Sequence, residues 1–276
     1  MKIRKVSTRV IIIVVLLIFL VYLVGPFAWL VNASFQKRVE LFSRPPTWIP
    51  SKLYLGNYKD VLSDKSLQRC LGNSLLVAAS TTAMTLTVGS LAAYAFARLR
   101  FPGRKALFLS ILATQMLPGV AVLIPLYVMM RKLHLIYTYW GLILGNLTFS
   151  LPYVIWLLRS YFISVPMEIE EAAWIDGCSR LRAIVSIVLP LSAPGFVSTA
   201  IFIFTGAWNE FMMASILTND ATKTFPVKLA QYMGEEATAF ESMFASSLVG
   251  TIPILTLGVV FHRFIVKGLT EGGLKL

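Results

Sequence analysis

Residues 10–31 read VIIIVVLLIFLVYLVGPFAWLV, an apolar stretch without a single Asp, Glu, Lys, Arg or His. A helix of about 20 such residues spans the roughly 30 Å of hydrocarbon in a bilayer. The stretch is longer than the 7–15 apolar residues of a typical signal peptide, and no small-residue cleavage site follows it. We therefore expect a retained transmembrane helix.

The same pattern recurs along the 276 residues, of which 57% are hydrophobic and only 14% charged. Soluble domains carry about 25% charged residues, so a soluble fold does not fit this composition. Five further apolar runs lie at about residues 71–96, 106–130, 139–158, 192–217 and 243–264. The sequence therefore predicts an all-α membrane protein with six transmembrane helices in a single domain, 1–276.

The distribution of Lys and Arg predicts the orientation of these helices. The segments 1–9, 98–105, 159–182 and 263–276 hold more than half of the 25 basic residues, although they are shorter than the remaining connections. By the positive-inside rule both termini are expected in the cytoplasm. The outer loop at 32–70 is an exception to this rule, because it also contains several Lys and Arg residues. Its prolines predict irregular structure on the outer face.

The net charge of +12 does not indicate nucleic acid as a partner. The basic residues lie in short segments between apolar runs, and they form neither a basic helical face nor a pattern interleaved with aromatic residues. We expect membrane lipid to surround the apolar surface of this chain.

The prolines of the third and fourth expected spans predict interruptions of these helices. The third contains Pro118 and Pro125, and the fourth contains Asn146 and Pro152. Proline removes a backbone donor and clashes with the preceding turn, so we expect kinks. Kinked membrane helices often line a pathway, for which Pro118 and Asn146 are our candidates. The alternative is that proline is simply more frequent in membrane helices than in soluble ones.

The connection between the fourth and fifth spans contains Ser164–Gly177, which reads SVPMEIEEAAWIDG. Proline near the first turn and acidic residues after it favour a helix start, and glycine favours a stop. We expect a short helix outside the membrane and a second helix from about Ser179 to Pro190. From the residues alone, the first helix is either a solvated connector or a contact surface for another protein.

The residues of this connection also match a family. Glu171-Ala172-Ala173, then Gly177, then Ile187-Val188-Leu189-Pro190 resemble the EAA motif of permeases in binding-protein-dependent ATP-binding-cassette (ABC) importers. The resemblance implies a type I, MetI-like permease fold in which the loop at 160–190 forms a coupling helix against a separate ATPase. The residues implied in this contact are Glu171, Ala172, Ala173, Asp176, Gly177, Ile187, Leu189 and Pro190.

Within this family the chain most resembles the MalG-like subunits of carbohydrate importers. The resemblance rests on Pro46-Thr47-Trp48-Ile49-Pro50, Asn73-Ser74, Trp208-Asn209-Glu210-Phe211, Phe225-Pro226-Val227 and the C-terminal tail. It implies that Gly272, Gly273, Leu274 and Lys275 reach the interface between the ATPase subunits. Glu271 stands where the usual tail has a small residue, which leaves the tail's contacts open.

The resemblance also implies an assembly in the cytoplasmic (inner) membrane. Its members would be a second, MalF-like permease, two copies of the ATPase and an extracytoplasmic sugar-binding protein. The substrate would be maltose, trehalose or a related sugar. ATP and Mg²⁺ would be bound by the ATPase and not by this chain, which has no GxxxxGK[ST] phosphate-binding loop.

Glu210 is the one carboxylate inside an apolar run, with Trp208 and Asn209 beside it. Intramembrane charges are costly and often functional, so these three residues are candidates for lining a sugar pathway. The alternative is that Glu210 lies near the membrane surface, with Trp208 as an interfacial anchor. In the maltose-type systems the partner permease is implied to hold most of the membrane sugar site.

Other functional classes lack the residues that they need. A gradient-driven transporter needs several carboxylates in the membrane, and an intramembrane enzyme needs catalytic groups on at least two helices. The histidines His134 and His262 have no carboxylate at metal-ligand spacing, so no metal site is expected. Cys70 and Cys178 are expected on opposite sides of the membrane, and we assign them no chemistry.

Overall fold

The computed structural model describes residues 2–45, 47–234 and 239–273, and within these ranges every regular element is helical. The helices are α1 (Lys2–Ser34), α2 (Arg38–Leu41), α3 (Gly56–Ser63), α4 (Lys65–Arg98), α5 (Arg104–Ala113), α6 (Gly119–Lys132), α7 (Tyr139–Ser164), α8 (Met167–Ile175), α9 (Arg180–Ala183), α10 (Leu189–Leu191), α11 (Ala193–Trp208), α12 (Met212–Leu217), α13 (Phe225–Gln231) and α14 (Phe240–Gly273). A 3₁₀ turn over Thr114–Met116 follows α5, and a π-helical segment over Ile184–Val188 joins α9 to α10.

Four of the described helical segments are long and apolar enough to cross a membrane unbroken: Ile11–Ser34, Lys65–Arg98, Tyr139–Ser164 and Phe240–Phe264. Two bent pairs raise the number to six, namely Arg104–Met116 with Gly119–Lys132 and Arg180–Leu191 with Ala193–Trp208. The six-span prediction is therefore confirmed, with two of the spans broken.

The expected kink in the third span is a 102° break between Met116 and Gly119. Its cause is Pro118, because the residue before a proline is pushed away from the helical region. Leu117 accordingly takes an extended conformation with ψ 130°, and α6 begins directly after the proline. By contrast, α7 continues through Pro152.

The fifth span differs from the expected range of 192–217. Its helix α11 ends at Trp208, and the short α12 begins only at Met212. On the other side, the helix over 180–191 meets α11 at an angle of 86°. The apolar composition continues through these breaks, so hydropathy alone extended the span too far.

The chain groups into two compact units. One consists of Met1–Gln68 and Leu229–Ile252, and the other of Arg69–Lys228 and Pro253–Leu276. In the first unit, the loop at 32–70 is more ordered than expected, because α2 and α3 lie within it. The buried Asn57 anchors this loop by donating from Nδ2 to the carbonyl oxygens of Ser34 and Gln36, each at 2.9 Å.

The second unit contains two main apolar clusters. One brings α4, α7, α11 and the π-helical segment together around Val154, Leu158 and Phe162. The other joins α4, α6, α7 and α12 around Leu126 and Leu142. These clusters fix the positions of the helices that carry the candidate sites.

Candidate functional site

The expected short helix outside the apolar spans is α8. Pro166 precedes its first residue, and Glu168 and Glu170 lie in the first turn, where carboxylates complement the positive end of the helix dipole. Gly177 ends the helix in the left-handed region, with φ +85°. The amides of Gly177 and Cys178 then donate to the carbonyls of Trp174 and Ala173, at 3.0 and 2.9 Å, which is a Schellman motif.

Neighbouring residues of α8 have opposite environments. Glu171, Ala172 and Asp176 are exposed, and Ile175 is exposed to 86%. Glu170 is fully buried, with 0% exposure. One surface of α8 is therefore exposed and carries both apolar and acidic side chains. On its other surface, one carboxylate is buried inside the protein.

The buried carboxylate of Glu170 is paired with the C-terminal end of α4. Arg98 approaches Glu170 Oε1 through Nε at 2.7 Å and through a terminal guanidinium nitrogen at 2.6 Å. The hydroxyl of Tyr94 donates to Glu170 Oε2 at 2.8 Å. Arg98 also donates to the carbonyl of Val165, just before α8, at 2.7 Å. Both oxygens of the carboxylate are thus satisfied, as a buried charge requires.

Two further arginines bind carbonyl groups at the same end of α4. Arg159 donates to the carbonyl of Phe96 at 3.2 Å, and Arg104 donates to that of Leu99 at 3.0 Å. The last carbonyls of a helix lack intrahelical donors and carry partial negative charge. Several arginines therefore lie at the C-terminal end of α4, and one of them, Arg98, attaches the segment that contains α8.

Sequence reasoning singled out Glu171 but missed Glu170, Arg98 and Tyr94. Glu170 and Arg98 are 72 residues apart, so no local spacing relates them. The one signal was the separation of Tyr94 and Arg98 by four residues, which places both side chains on one face of a helix.

The second half of the motif lies in and after the π-helical segment. Ile187 and Leu189 are half-buried, Leu189 packs against the cluster around Leu158, and Pro190 is exposed. Pro190 lacks an N–H and clashes with the carbonyl four residues earlier, so a regular α-helix cannot pass through this point. The wider π turn over Ile184–Val188 accommodates the proline.

A cavity of 490 Å³ lies between the α5–α6 break, α7, α11 and α12. Its walls are mainly apolar, and Tyr153 stacks on Phe202 there with ring centroids 4.4 Å apart. The polar groups on its walls come from Gln115, Asn146, Ser150 and Glu210. Aromatic faces with a few polar groups suit a ligand that has both an apolar face and hydroxyl groups.

Glu210 occupies the break between α11 and α12. Its carboxylate accepts hydrogen bonds from the backbone amides of Met213 at 2.7 Å and Ala214 at 2.9 Å, so it caps the first turn of α12 from the position before the N-cap residue Phe211. Glu210 is thus both a cavity residue and a structural anchor.

The other expected pathway residues differ in their positions. Asn146 lines the cavity, while Pro118 forms the break beside the lining residue Gly119. Asn209 is exposed and donates to the carbonyl of Thr205 at 3.0 Å. Trp208 does not line this cavity: it is 2% exposed and packs with Ala78, Ala207 and Phe204.

The loop after α12 is held by Asn73 and Ser74, two residues that carried part of the family resemblance. Asn73 Nδ2 donates to the carbonyls of Ala221 and Lys223, at 3.0 and 2.9 Å, and its Oδ1 accepts from the Tyr139 hydroxyl at 2.8 Å. Ser74 Oγ accepts from the amide of Phe225 at 2.8 Å.

The same loop contains an ion pair between two residues that are three positions apart. The Lys223 ammonium donates to the Asp220 carboxylate at 2.8 Å, and this hydrogen bond lowers the pKa of the Asp220 carboxyl.

Gly272 and Gly273 are the last residues of α14, while Leu274 and Lys275 lie outside the described residues. In the described parts of the chain, no group of three or more His, Cys, Asp or Glu side chains is placed to hold a metal ion.

These features define an integral membrane protein with a short connecting helix outside the apolar spans and an apolar cavity among broken spans. Residues 85–270 match the family model of the "binding-protein-dependent transport system inner membrane component". The chain belongs to this family of transport permease subunits, and the fold is the type I ABC importer permease fold.

Individual proteins extend the similarity over nearly the whole chain. The sulfoquinovosyl glycerol transport system permease protein SmoH of Agrobacterium fabrum is 40% identical over 251 residues, covering 91% of this chain and 88% of that protein. The trehalose/maltose transport system permease protein MalG of Thermococcus litoralis is 36% identical over 276 residues, covering 99% of both.

Among solved structures, a chain of a bacterial ABC transporter involved in the import of the acidic polysaccharide alginate superimposes with a TM-score of 0.81. The match covers 92% of this chain and 95% of that chain at 21% identity, which shows a shared fold.

Proposed function

We propose that this chain is a membrane-spanning subunit of an ATP-driven sugar importer, with maltose, trehalose or a related glycoside as the substrate class. The proposal of a sugar is supported by the full-length similarity to permeases named for trehalose, maltose and sulfoquinovosyl glycerol transport. The observation that carries the mechanism is the exposed face of α8, with Glu171, Ala172 and Ile175.

In this mechanism α8 is the coupling helix. Small Ala172 and Ala173 allow close approach of another protein, Ile175 offers an apolar contact, and Glu171 and Asp176 can pair with basic groups. The partner is an ABC ATPase, present in two copies, which binds ATP and Mg²⁺. Ile187, Leu189 and Pro190 position the following helix, and Gly272–Lys275 extend toward the interface between the ATPase subunits.

The proposal includes two further partners, which the membership in this family supports. A second, MalF-like permease completes the pathway, and an extracytoplasmic sugar-binding protein delivers the substrate on the outer side. This arrangement places both termini of the chain in the cytoplasm. Alternating access then arises when closure of the ATPase subunits pushes on α8 and tilts the bundle.

The 490 Å³ cavity is the part of the pathway contributed by this chain. The stacked Tyr153 and Phe202 rings offer an apolar face to a sugar ring, and Gln115, Asn146 and Glu210 offer hydrogen-bonding groups. The chain is a transport subunit and not an enzyme, because the work of ATP hydrolysis belongs to its partner.

Gentle detergent purification through a tag on this chain, followed by mass spectrometry, tests the assembly. We expect a P-loop ATPase and a second permease in the preparation. Glu171→Lys is expected to leave the chain inserted while the recovered ATPase decreases, and Asp60→Lys, at an exposed carboxylate of α3, is the matched control. Uptake of substrate into vesicles that contain only this chain would contradict the proposal.

A further inference from the structure

The buried pairing of α8 with α4 offers a route by which movement of the coupling helix enters the membrane. α8 is only nine residues long, and Glu171, Ala172 and Ile175 on its outward surface are exposed. Its inward surface carries Glu170, whose carboxylate is bound from two sides by Arg98 and Tyr94. Because these bonds join α8 directly to α4, a displacement of the exposed surface of α8 can be passed to α4.

The geometry of this contact resists both sliding and rotation. Arg98 binds Glu170 through two nitrogens, and it also binds the carbonyl of Val165 at the start of α8. Tyr94 fixes the second carboxylate oxygen from one turn earlier on α4. Charge-assisted, two-pronged bonds of this kind are strong and restrict orientation.

From α4 the contacts continue to the cavity. α4 packs tightly on α7, since a Cβ added at Gly89 would lie 2.6 Å from a methyl carbon of Val154. Val154 neighbours Tyr153, which stacks on Phe202 in the cavity wall. A continuous path of packed groups thus runs from Glu170 through α4 to the side chains that line the cavity.

We propose that Glu170, Arg98 and Tyr94 form a rigid link that makes α8 and the inner end of α4 move as one body during ATP-driven gating. They are positioning residues, and they do not contact the ATPase. This inference rests on the proposed function, and it adds to the exposed EAA surface a buried element that converts docking into movement.

The test uses the complete complex with the second permease, the ATPase and the binding protein, reconstituted in lipid vesicles. ATPase recovery, hydrolysis stimulated by the binding protein, and uptake are measured for each variant. Glu170→Gln is expected to retain the ATPase and its hydrolysis, while uptake per ATP decreases about tenfold, in the usual range of coupling between sites. Glu168→Gln, an exposed carboxylate of the same helix, is expected to behave as wild type.

A double variant separates a role in gating from a role in folding. Arg98→Met with Glu170→Met removes both charges without leaving either one buried alone, which proteins often tolerate. A lowered ratio of uptake to hydrolysis in an assembled complex supports the link. A wild-type ratio in the double variant, or in Glu170→Gln, would overturn it. If the wild-type chain recruits no ATPase at all, the proposed function itself fails.

A distance measurement tests the link without altering it. Spin labels at Arg100→Cys and Glu168→Cys, with Cys70 and Cys178 replaced, report the separation of the α4 end from α8. The link predicts the same distance in the nucleotide-free and ATP-bound complexes. A change clearly beyond the about 1–2 Å of ordinary helix shifts would overturn the proposal, whatever the activities of the variants.

Discussion

Two carboxylates, the buried Glu170 on α8 and the half-buried Glu210 at the cavity, are stabilised in different ways. Glu170 is bound by side chains from a distant helix, with Arg98 as its charged partner. Glu210 is bound by backbone amides only three and four residues away in the chain. The first carboxylate joins two segments, and the second shapes a single turn.

This difference separates a long-range connection from a local cap. A side-chain ion pair between distant segments transmits displacement from one to the other, and it leaves an unpaired charge when one partner is lost. A helix cap holds its own helix start and can be replaced by other acceptors. Substitutions at the two sites should therefore differ in size and in which other residues they affect.

The largest effect is expected for Glu170→Ala, which leaves the Arg98 guanidinium buried without its partner. Such a loss costs about 3–5 kcal/mol in the free energy of unfolding. Denaturant titration of the purified chain in mixed micelles measures it, with Glu168→Ala expected to stay within about 0.5 kcal/mol of wild type. A cost near that of the control would show that Arg98 does not depend on Glu170.

Glu210→Ala is expected to have a smaller effect, because the hydrogen bonds lost are to backbone amides. Loss of bonds to a charged acceptor costs about 1.5–3 kcal/mol. Glu210→Gln keeps one carbonyl acceptor and should cost less than Glu210→Ala, whereas Glu170→Gln should cost more than Glu210→Gln because Arg98 loses its charged partner. The same titration measures the free energy of unfolding of the four variants. If the two Gln substitutions lowered it equally, the proposed difference between a local helix cap at Glu210 and a long-range ion pair at Glu170 would be wrong.

Gly177→Ala tests the end of α8, the proposed coupling helix. The left-handed φ of +85° costs about 1–2 kcal/mol for a residue with a Cβ, although there is open space for the added methyl group. Gly103→Ala is the matched control, with φ +76° and equally open surroundings. Both variants should lose similar stability, but only Gly177→Ala should also lower ATPase recovery in pull-downs. If the two variants recovered the same amount of ATPase, the turn at Gly177 would have no specific role in docking.

The smallest effect is expected at Ser74, whose hydrogen bond to the loop after α12 joins two uncharged groups. Ser74→Ala removes the acceptor of the Phe225 amide, which costs about 0.5–1.5 kcal/mol. Ser110→Ala, an exposed serine bonded only within its own helix, is the control. A thermal-shift measurement compares the stability of both variants. A loss of stability at Ser74 as large as that at Glu170 would show that the charge of the bonded groups does not determine the size of the effect.

The sequence predicted the features that depend on local patterns. Hydropathy located the six spans, and the acidic turn with Gly177 located α8 and its end. The size of the 102° break at Pro118 was not predictable, because a proline signals a break without fixing its angle. The end of α11 was missed because the apolar composition continues past Trp208, while the Glu210 cap interrupts the helix there.

Contacts between distant segments could not be read from the sequence. Glu170 and Glu171 are adjacent and chemically identical, and only tertiary packing decides that the first is buried and the second exposed. Trp208 shows the same limit: an aromatic residue beside a carboxylate suggested a sugar contact, but the helix orientation directs it into a packed cluster. Orientation around a helix axis depends on partners that local patterns do not reveal.

The most direct test of the central claim is site-specific photo-crosslinking from α8 in the native membrane. A photoreactive amino acid at Ala172 is predicted to crosslink to a P-loop ATPase, which mass spectrometry of the product identifies. The same group at Leu107, an exposed apolar position on α5, should crosslink to lipid or to another membrane protein. Efficient crosslinking at Ala172 to lipid alone, with no ATPase recovered, would contradict the assignment of α8 as the coupling helix.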